Sequence, residues 1–266
     1  MMHLLYIEWL KIKGYRTFWV LLILFVISIV GINYSVFHIK ANQDIANPQI
    51  AIIMGSPFAF PHVWHTIAYI SSFLLFIPGL MIITSISNEF TFKTHRQNVI
   101  DGWSRSQFIN VKIMLVLILA IFSMLIVFLT SLIFGFMSPR PLDFTDVQFV
   151  GYYFIQAISY GMVALLLSVV IKRSGLAIGV FFLYGYIIEN ALGAILNYGV
   201  SNKMTKNGPG DYLPLNTTDN LIPFPFFRDI IKFGTQPSVV VLLCLSGVYL
   251  GLYYYFAVRK FTTDDL

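Results

Sequence analysis

Residues 113–137 read IMLVLILAIFSMLIVFLTSLIFGFM, an apolar run without a single charged side chain. At about 1.5 Å of rise per residue, a helix of this length crosses the roughly 30 Å of hydrocarbon in a bilayer. The composition agrees, since 58% of the 266 residues are hydrophobic and only 11% are charged. Soluble domains carry about 25% charged residues. The composition therefore excludes a soluble enzyme, a disordered tail protein and a nucleic-acid-binding protein.

Five further apolar runs of similar length complete the pattern. They cover residues 18–37, 67–86, 149–171, 176–196 and 239–258. The six runs predict an all-α integral membrane protein with six transmembrane helices in a single domain over residues 1–266. Residues 1–16 are predicted to form a helix in the inner interface, with Glu8 and Lys11 on its polar face. Residues 197–237 form the largest outer connection and are predicted to dip into the outer leaflet.

Basic residues are distributed unequally between the two sides of the predicted membrane. With the N-terminus inside, 11 of the 17 Lys and Arg residues fall in inner segments and 6 fall in the longer outer segments. Short loops rich in Lys and Arg stay in the cytoplasm. The asymmetry therefore predicts that both termini are cytoplasmic.

The inner connection between the second and third runs has unusually complete local signals. Residues 85–112 read SISNEFTFKTHRQNVIDGWSRSQFINVK. Ser87 or Asn88 can cap a helix whose positive end lies near Glu89. Gly102 can end that helix in a left-handed turn, and the spacing of Ser104 and Gln107 predicts a capping box. The sequence thus predicts a helix of about three turns, a sharp turn, and the start of the third span.

This connection resembles the first cytoplasmic loop of ATP-binding-cassette (ABC) exporter permeases of the type-2 family. An acidic residue, a coupling helix and a Gly-containing turn follow one another in that family. Here Glu89, residues 90–101 and residues 102–105 (GWSR) stand in those places. The stretch YIEWLKIKGYRTFWVLL, residues 6–22, resembles the family's opening helix. One departure is that residues 110–112 (NVK) replace the family's Gly-Lys after the turn.

The resemblance implies that the chain is a permease domain whose inner connection between the second and third runs, here called the coupling loop, contacts an ATPase. The implied ATPase-coupling residues are Glu89, Phe92, Arg96, Val99, Gly102 and Arg105. None of the 18 glycines is followed by Lys, so the chain lacks a phosphate-binding loop of its own. ATP and Mg²⁺ would be used by a separate nucleotide-binding subunit. The chain itself is expected to have no catalytic residue, no metal site and no bound cofactor.

The resemblance also implies an assembly and a location. Two permease chains, identical or paralogous, would associate with two ATPase subunits and with membrane lipids in the bacterial cytoplasmic membrane. The apolar spans favour a hydrophobic or amphipathic substrate, such as a lipid, a peptide antibiotic or a drug. Transport would run outward, as in an exporter.

Glu189 is the acidic residue in the middle of an apolar run, and Asn190 follows it. An ionisable group at that depth is a candidate for function. The two residues are therefore predicted to line the substrate path or its outer gate. Two alternatives stay open. Glu189 could be structural, protonated or covered by the outer connection, or it could be the coupling site of an ion-driven secondary transporter.

Overall fold

The computed structural model describes residues 2–46, 55–94, 97, 100, 102–201, 207–226 and 237–263. Regular structure within these ranges is helical, and they contain no strand. The N-terminal helices are α1 (Met2–Lys13), α2 (Arg16–Ala46), α3 (Val63–Ser72) and α4 (Phe76–Thr91). They are followed by α5 (Arg105–Phe136), α6 (Gln148–Ile171) and α7 (Ser174–Phe182). A π-helical segment (Leu183–Ile188) leads directly into α8 (Glu189–Ser201). A short 3₁₀ turn (Pro209–Tyr212), α9 (Pro214–Asp219) and α10 (Val239–Thr263) complete the chain.

Among the described residues, five helices are long and apolar enough to cross a membrane, and a bent pair gives a sixth when it is counted as one span. The five are α2, α5, α6, the stretch Ser174–Gly199, and α10; the pair is α3 with α4. This confirms the prediction of an all-α membrane protein. The helix α1 also lies where the N-terminal helix was predicted.

The second span is not the continuous helix that residues 67–86 predicted. It consists of α3 and α4, which meet at an angle of 44°. Pro78 lies in the first turn of α4. Proline has no N–H to donate to the carbonyl four residues earlier, and its ring clashes with that carbonyl. The bend at residues 73–75 is therefore a consequence of Pro78.

Helix α6 lies at the centre of the bundle, packed against α3, α4, α5, α7, α9 and α10. Close approach is possible because Gly161 lacks a side chain. A Cβ at that position would lie 2.6 Å from Val116 Cγ1 and 3.2 Å from Ile82 Cδ1. By contrast, α2 and α10 leave most of their apolar side chains at least partly exposed. Those faces suit contact with lipid.

The inner connection differs from its prediction at its start and agrees at its end. The predicted helix start at Ser87 or Asn88 is wrong, because α4 continues to Thr91 and Glu89 lies in its last turn. Packing of Ile83, Ile86 and Ser87 in the core extends the helix through the local cap signal. Lys93, with φ of 56°, then ends it.

The turn itself is confirmed. Gly102 has φ of 97°, in the left-handed region. Ser104 and Gln107 form the predicted capping box at the start of α5. Thr94, Gln97 and Ile100 are helical, whereas Arg96 and Val99 lie outside the described residues.

Candidate functional site

Four charged side chains meet where α1, α4 and α5 converge, at the end of the bundle predicted to be cytoplasmic. The Lys112 ammonium donates to Glu8 Oε1 and to Glu89 Oε1, each at 2.5 Å. Lys11 Nζ lies 3.3 Å from Glu89 Oε1 and 3.8 Å from Glu8 Oε2. Two positive and two negative groups thus form one network, which we call the ion cluster.

The ion cluster is buried. Lys112 is 1% exposed, Glu8 3% and Glu89 8%. A buried charge is stable only when it is paired, because it has lost its hydration. The three helices must therefore stay together for each charge to keep its partner. Aromatic rings close the cluster, with Trp103 5.6 Å from Lys11 Nζ and Phe108 5.3 Å from Lys112 Nζ.

The cluster changes the interpretation of Glu89. Its carboxylate was expected at a helix start, available to a basic residue of an ATPase. It lies instead in the last turn of α4 and is held by two lysines of this chain. The helix carbonyls at that end carry partial negative charge, which the lysines offset. These contacts place Glu89 inside the fold of this chain, and its direct contact with an ATPase stays a prediction.

The other predicted coupling residues are divided between surface and interior contacts. Phe92 is 73% exposed beside the ion cluster. Arg105 Nη1 donates to the Thr262 carbonyl at 2.8 Å and so joins the start of α5 to the end of α10. Gly102 forms the turn between these regions. Phe92 is therefore exposed at the surface, whereas Arg105 makes a contact within the fold.

Sequence reasoning missed Glu8 and Lys112 as partners. Glu8 was placed on the polar face of an interfacial helix, but its side chain is buried against α5. Lys112 was counted only as a basic residue of an inner segment. The one available signal was that Lys112 directly precedes an apolar run, where a charge needs a partner or water.

Glu189, the acid of the fifth span, begins α8 and is 2% exposed. Its Oε1 accepts hydrogen bonds from the backbone N–H groups of Leu215 and Asn216, the latter at 2.9 Å. These N–H groups belong to the first turn of α9, where they have no partner within the helix. Glu189 therefore caps α9 and attaches the outer connection to the fifth span. This is the geometry that a structural role requires.

Asn190, the next residue, faces a different environment. It is exposed, and its amide donates to the Tyr186 carbonyl at 3.2 Å. It lines a cavity of about 400 Å³, which we call the outer cavity. The walls of the outer cavity come from the α3–α4 bend, α6, the π-helical segment, α8 and the outer connection. The predicted pair is thus split, with Asn190 on the cavity wall and Glu189 behind it.

Comparison with family models identifies the family of this chain. The model of the ABC-2 family transporter protein matches residues 4–189, which is more than half of the chain and includes most of α1, the bent span and the whole ion cluster. No curated protein matches the chain. Members of this family are multi-pass membrane subunits that normally pair with an ATPase subunit. With six helical spans and a family match across the coupling loop, the chain belongs to the ABC-2 transporter family.

Proposed function

We propose that this chain is the permease subunit of an ATP-driven exporter. It works with a separate ATPase subunit and a second permease chain, identical or paralogous, in the bacterial cytoplasmic membrane. Both termini are cytoplasmic. The substrate is hydrophobic or amphipathic, such as a lipid, a peptide antibiotic or a drug. Family membership and the apolar spans support this proposal.

The exposed phenyl ring of Phe92 carries the proposal. Phe92 is 73% exposed beside the buried ion cluster, so its ring is available for contact with another protein. A recess of about 230 Å³ adjoins it, with Ile12 and Phe18 in its wall. An apolar side chain of the ATPase could insert there while Phe92 packs against the partner.

The ion cluster explains how a force applied at this surface would reach the spans. Glu89 ends α4, and Lys112 lies in the second turn of α5. Their buried ion pair joins the two helices on both sides of the coupling loop. Movement of the loop therefore moves α4 and α5 together, instead of being absorbed by a flexible connection. The left-handed turn at Gly102 fixes the angle at which the loop meets α5.

The ion-driven alternative would use Glu189 as its coupling site. An oxygen of that carboxylate already accepts two backbone hydrogen bonds from α9. Binding and release of an ion there would break the cap of α9 in every cycle. The geometry therefore favours ATP as the energy source.

The test is purification of the tagged chain from its native membranes in maltoside micelles. We expect an ATPase subunit with a phosphate-binding loop to co-purify, and the complex to hydrolyse ATP. Phe92→Asp should abolish both, because it places a charge in the contact. Leu142→Asp is the matched control, since Leu142 is an exposed apolar residue in the loop at the other end of α5. Full ATPase association in Phe92→Asp would contradict the proposal.

A further inference from the structure

The outer cavity has a chemical character that the proposed function does not use. It measures about 400 Å³, within the range of small-molecule sites. Amide and carboxyl side chains dominate its polar wall. They are Gln156, Asn190, Asn197, Asp211, Asn216, Asp219 and Asn220.

The asparagines direct their amide NH₂ groups into the protein. Asn190 donates to the Tyr186 carbonyl, and Asn197 donates to Asp211 Oδ1 at 3.0 Å. Asn216 donates to the Gly210 carbonyl and Asn220 to the Asp211 carbonyl, each at 3.1 Å. At least one N–H of each of these amides is therefore engaged within the protein.

Gln156 adds an acceptor that lacks a partner. The residue is 3% exposed, and its Nε2 donates to Asp219 Oδ1 at 2.7 Å. Its Oε1 is buried and accepts no hydrogen bond from the described part of the chain. A buried acceptor without a donor is unfavourable by about 1–3 kcal/mol. A ligand that donates a hydrogen bond at this place would remove that cost.

Asp219 supplies negative charge without a counter-ion in the cavity wall. Its carboxyl accepts hydrogen bonds only from neutral groups in the described structure, Gln156 and the Tyr160 hydroxyl at 3.1 Å. Burial, and to a smaller extent the nearby Glu189 carboxylate, raises the pKa of Asp219 to about 7. Of the described residues that line the cavity, none is Lys or Arg.

Aromatic rings complete the wall at the α3–α4 bend. The Tyr69 ring lies 5.4 Å from that of Phe73 and 5.6 Å from that of Phe224, and all three residues line the cavity. The Tyr186 hydroxyl donates to the Phe73 carbonyl at 2.8 Å, which holds the bend against the π-helical segment. The faces of such rings attract cations, especially alkylated ammonium groups.

We propose that the outer cavity binds an organic cation, an alkylammonium or quaternary ammonium group on a small apolar substituent. The ammonium group lies near Asp219 and Gln156, and the apolar substituent packs on Tyr69, Phe73 and Phe224. Binding is a property of this chain alone, so it goes beyond the proposed function and does not depend on an ATPase.

The same wall argues against a zwitterionic lipid headgroup as the source of the cation. Such a headgroup carries a phosphate next to its ammonium. The described cavity wall offers that phosphate no basic side chain, and Asp211 and Asp219 would repel it. The ligand is therefore a free cation and not a bilayer lipid.

The experiment measures binding of phenyltrimethylammonium to the full chain, purified in uncharged maltoside micelles at pH 8 so that Asp219 is ionised. Choline and its uncharged isostere 3,3-dimethylbutan-1-ol are the competitors. We expect choline to compete about tenfold better than the isostere, as the loss of a cation–aromatic and a cation–carboxylate contact requires. Equal competition would overturn the proposal. Stronger competition by dihexanoylphosphatidylcholine than by choline would overturn the assignment to a free cation.

Variants then locate the site. Asp219→Asn keeps the shape of the side chain and should weaken binding of phenyltrimethylammonium about tenfold. Asp143→Asn is the matched control, because Asp143 lies in an exposed loop outside the cavity and should leave binding unchanged. Asn190→Asp adds a carboxylate to an exposed part of the wall and should tighten binding. Wild-type affinity in both Asp219→Asn and Asn190→Asp would refute the site, since the second variant does not depend on the buried network around Asp219.

Discussion

Replacement of Lys112 by Met removes the central charge of the ion cluster and keeps a long apolar stem. Lys112 is 1% exposed and pairs with two carboxylates, so its removal takes from Glu8 and Glu89 their shortest described ion pairs. Breaking a buried ion pair by deleting one partner is destabilising by about 3–5 kcal/mol. At 1.4 kcal/mol per tenfold change, α1 should detach about 10² to 4 × 10³ times more often.

The detachment can be measured at Ile12, which lies on α1 and is 5% exposed. A cysteine at this position, in a Cys244→Ser background, should react slowly with a thiol reagent in the parent protein. Addition of Lys112→Met should accelerate the reaction towards the rate of an exposed thiol. All of these proteins should still insert in the membrane, since the changes add no charge to a span.

Two control variants separate pairing from packing. Lys11→Met should have a much smaller effect of about 0–1 kcal/mol, because the Lys11 side chain is 32% exposed and its contacts are longer. Glu8→Gln combined with Lys112→Met restores equal numbers of positive and negative groups and should recover part of the protection. Equal reactivity in the parent and in Lys112→Met would refute the reasoning that the ion cluster holds α1 in place.

Three further predictions concern other parts of the fold. Gly161→Ala should lower the thermal unfolding midpoint, because its Cβ would lie 2.6 Å from Val116 Cγ1. Gly151→Ala in the same helix is the control, because its Cβ would meet no atom within 4 Å, and it should leave the midpoint unchanged. Gly102→Val should leave the ATPase bound but reduce ATP-driven transport, because a left-handed turn is unfavourable by about 1–2 kcal/mol for that side chain. Burial raises the pKa of Asp219 to about 7. Between about pH 4 and pH 7 the folded state therefore binds more protons than the unfolded state, and the free energy of unfolding should fall as pH rises through this window. Asp219→Asn should therefore raise the midpoint relative to the wild type more at pH 8 than at pH 4.

Features with local causes were predictable from the sequence. The apolar runs, the left-handed turn at Gly102 and the capping box of Ser104 and Gln107 each depend on residues within a few positions of one another. The bend in the second span was equally local, because Pro78 is visible in the sequence. It was missed because hydropathy alone was used to define that span.

The charged centres depend on which helices pack together. Glu8 and Lys112 are 104 residues apart, and Glu189 caps a turn 26 residues further along the chain. Spacing along the sequence carries no information on such pairs. Only the high cost of an unpaired charge indicated that partners must exist. The coupling loop illustrates the same limit, since Ser87 and Asn88 are good capping residues but the packing of α4 overrides that preference.

Helix α4 connects the outer cavity to the ion cluster. Its 16 residues span about 24 Å, from the bend that forms part of the outer cavity to Glu89 in the ion cluster. It packs closely against the fifth span, because the Phe181 ring lies over Gly79, with no room for a Cβ between them. A displacement of the coupling loop therefore changes the bend at residues 73–75 or shifts α4 together with α7. In either case the Phe73 carbonyl, which accepts the Tyr186 hydroxyl, and the aromatic wall of the outer cavity must rearrange. Because coupling is reciprocal, a cation that holds this wall in one arrangement would bias the position of Phe92 at the other end.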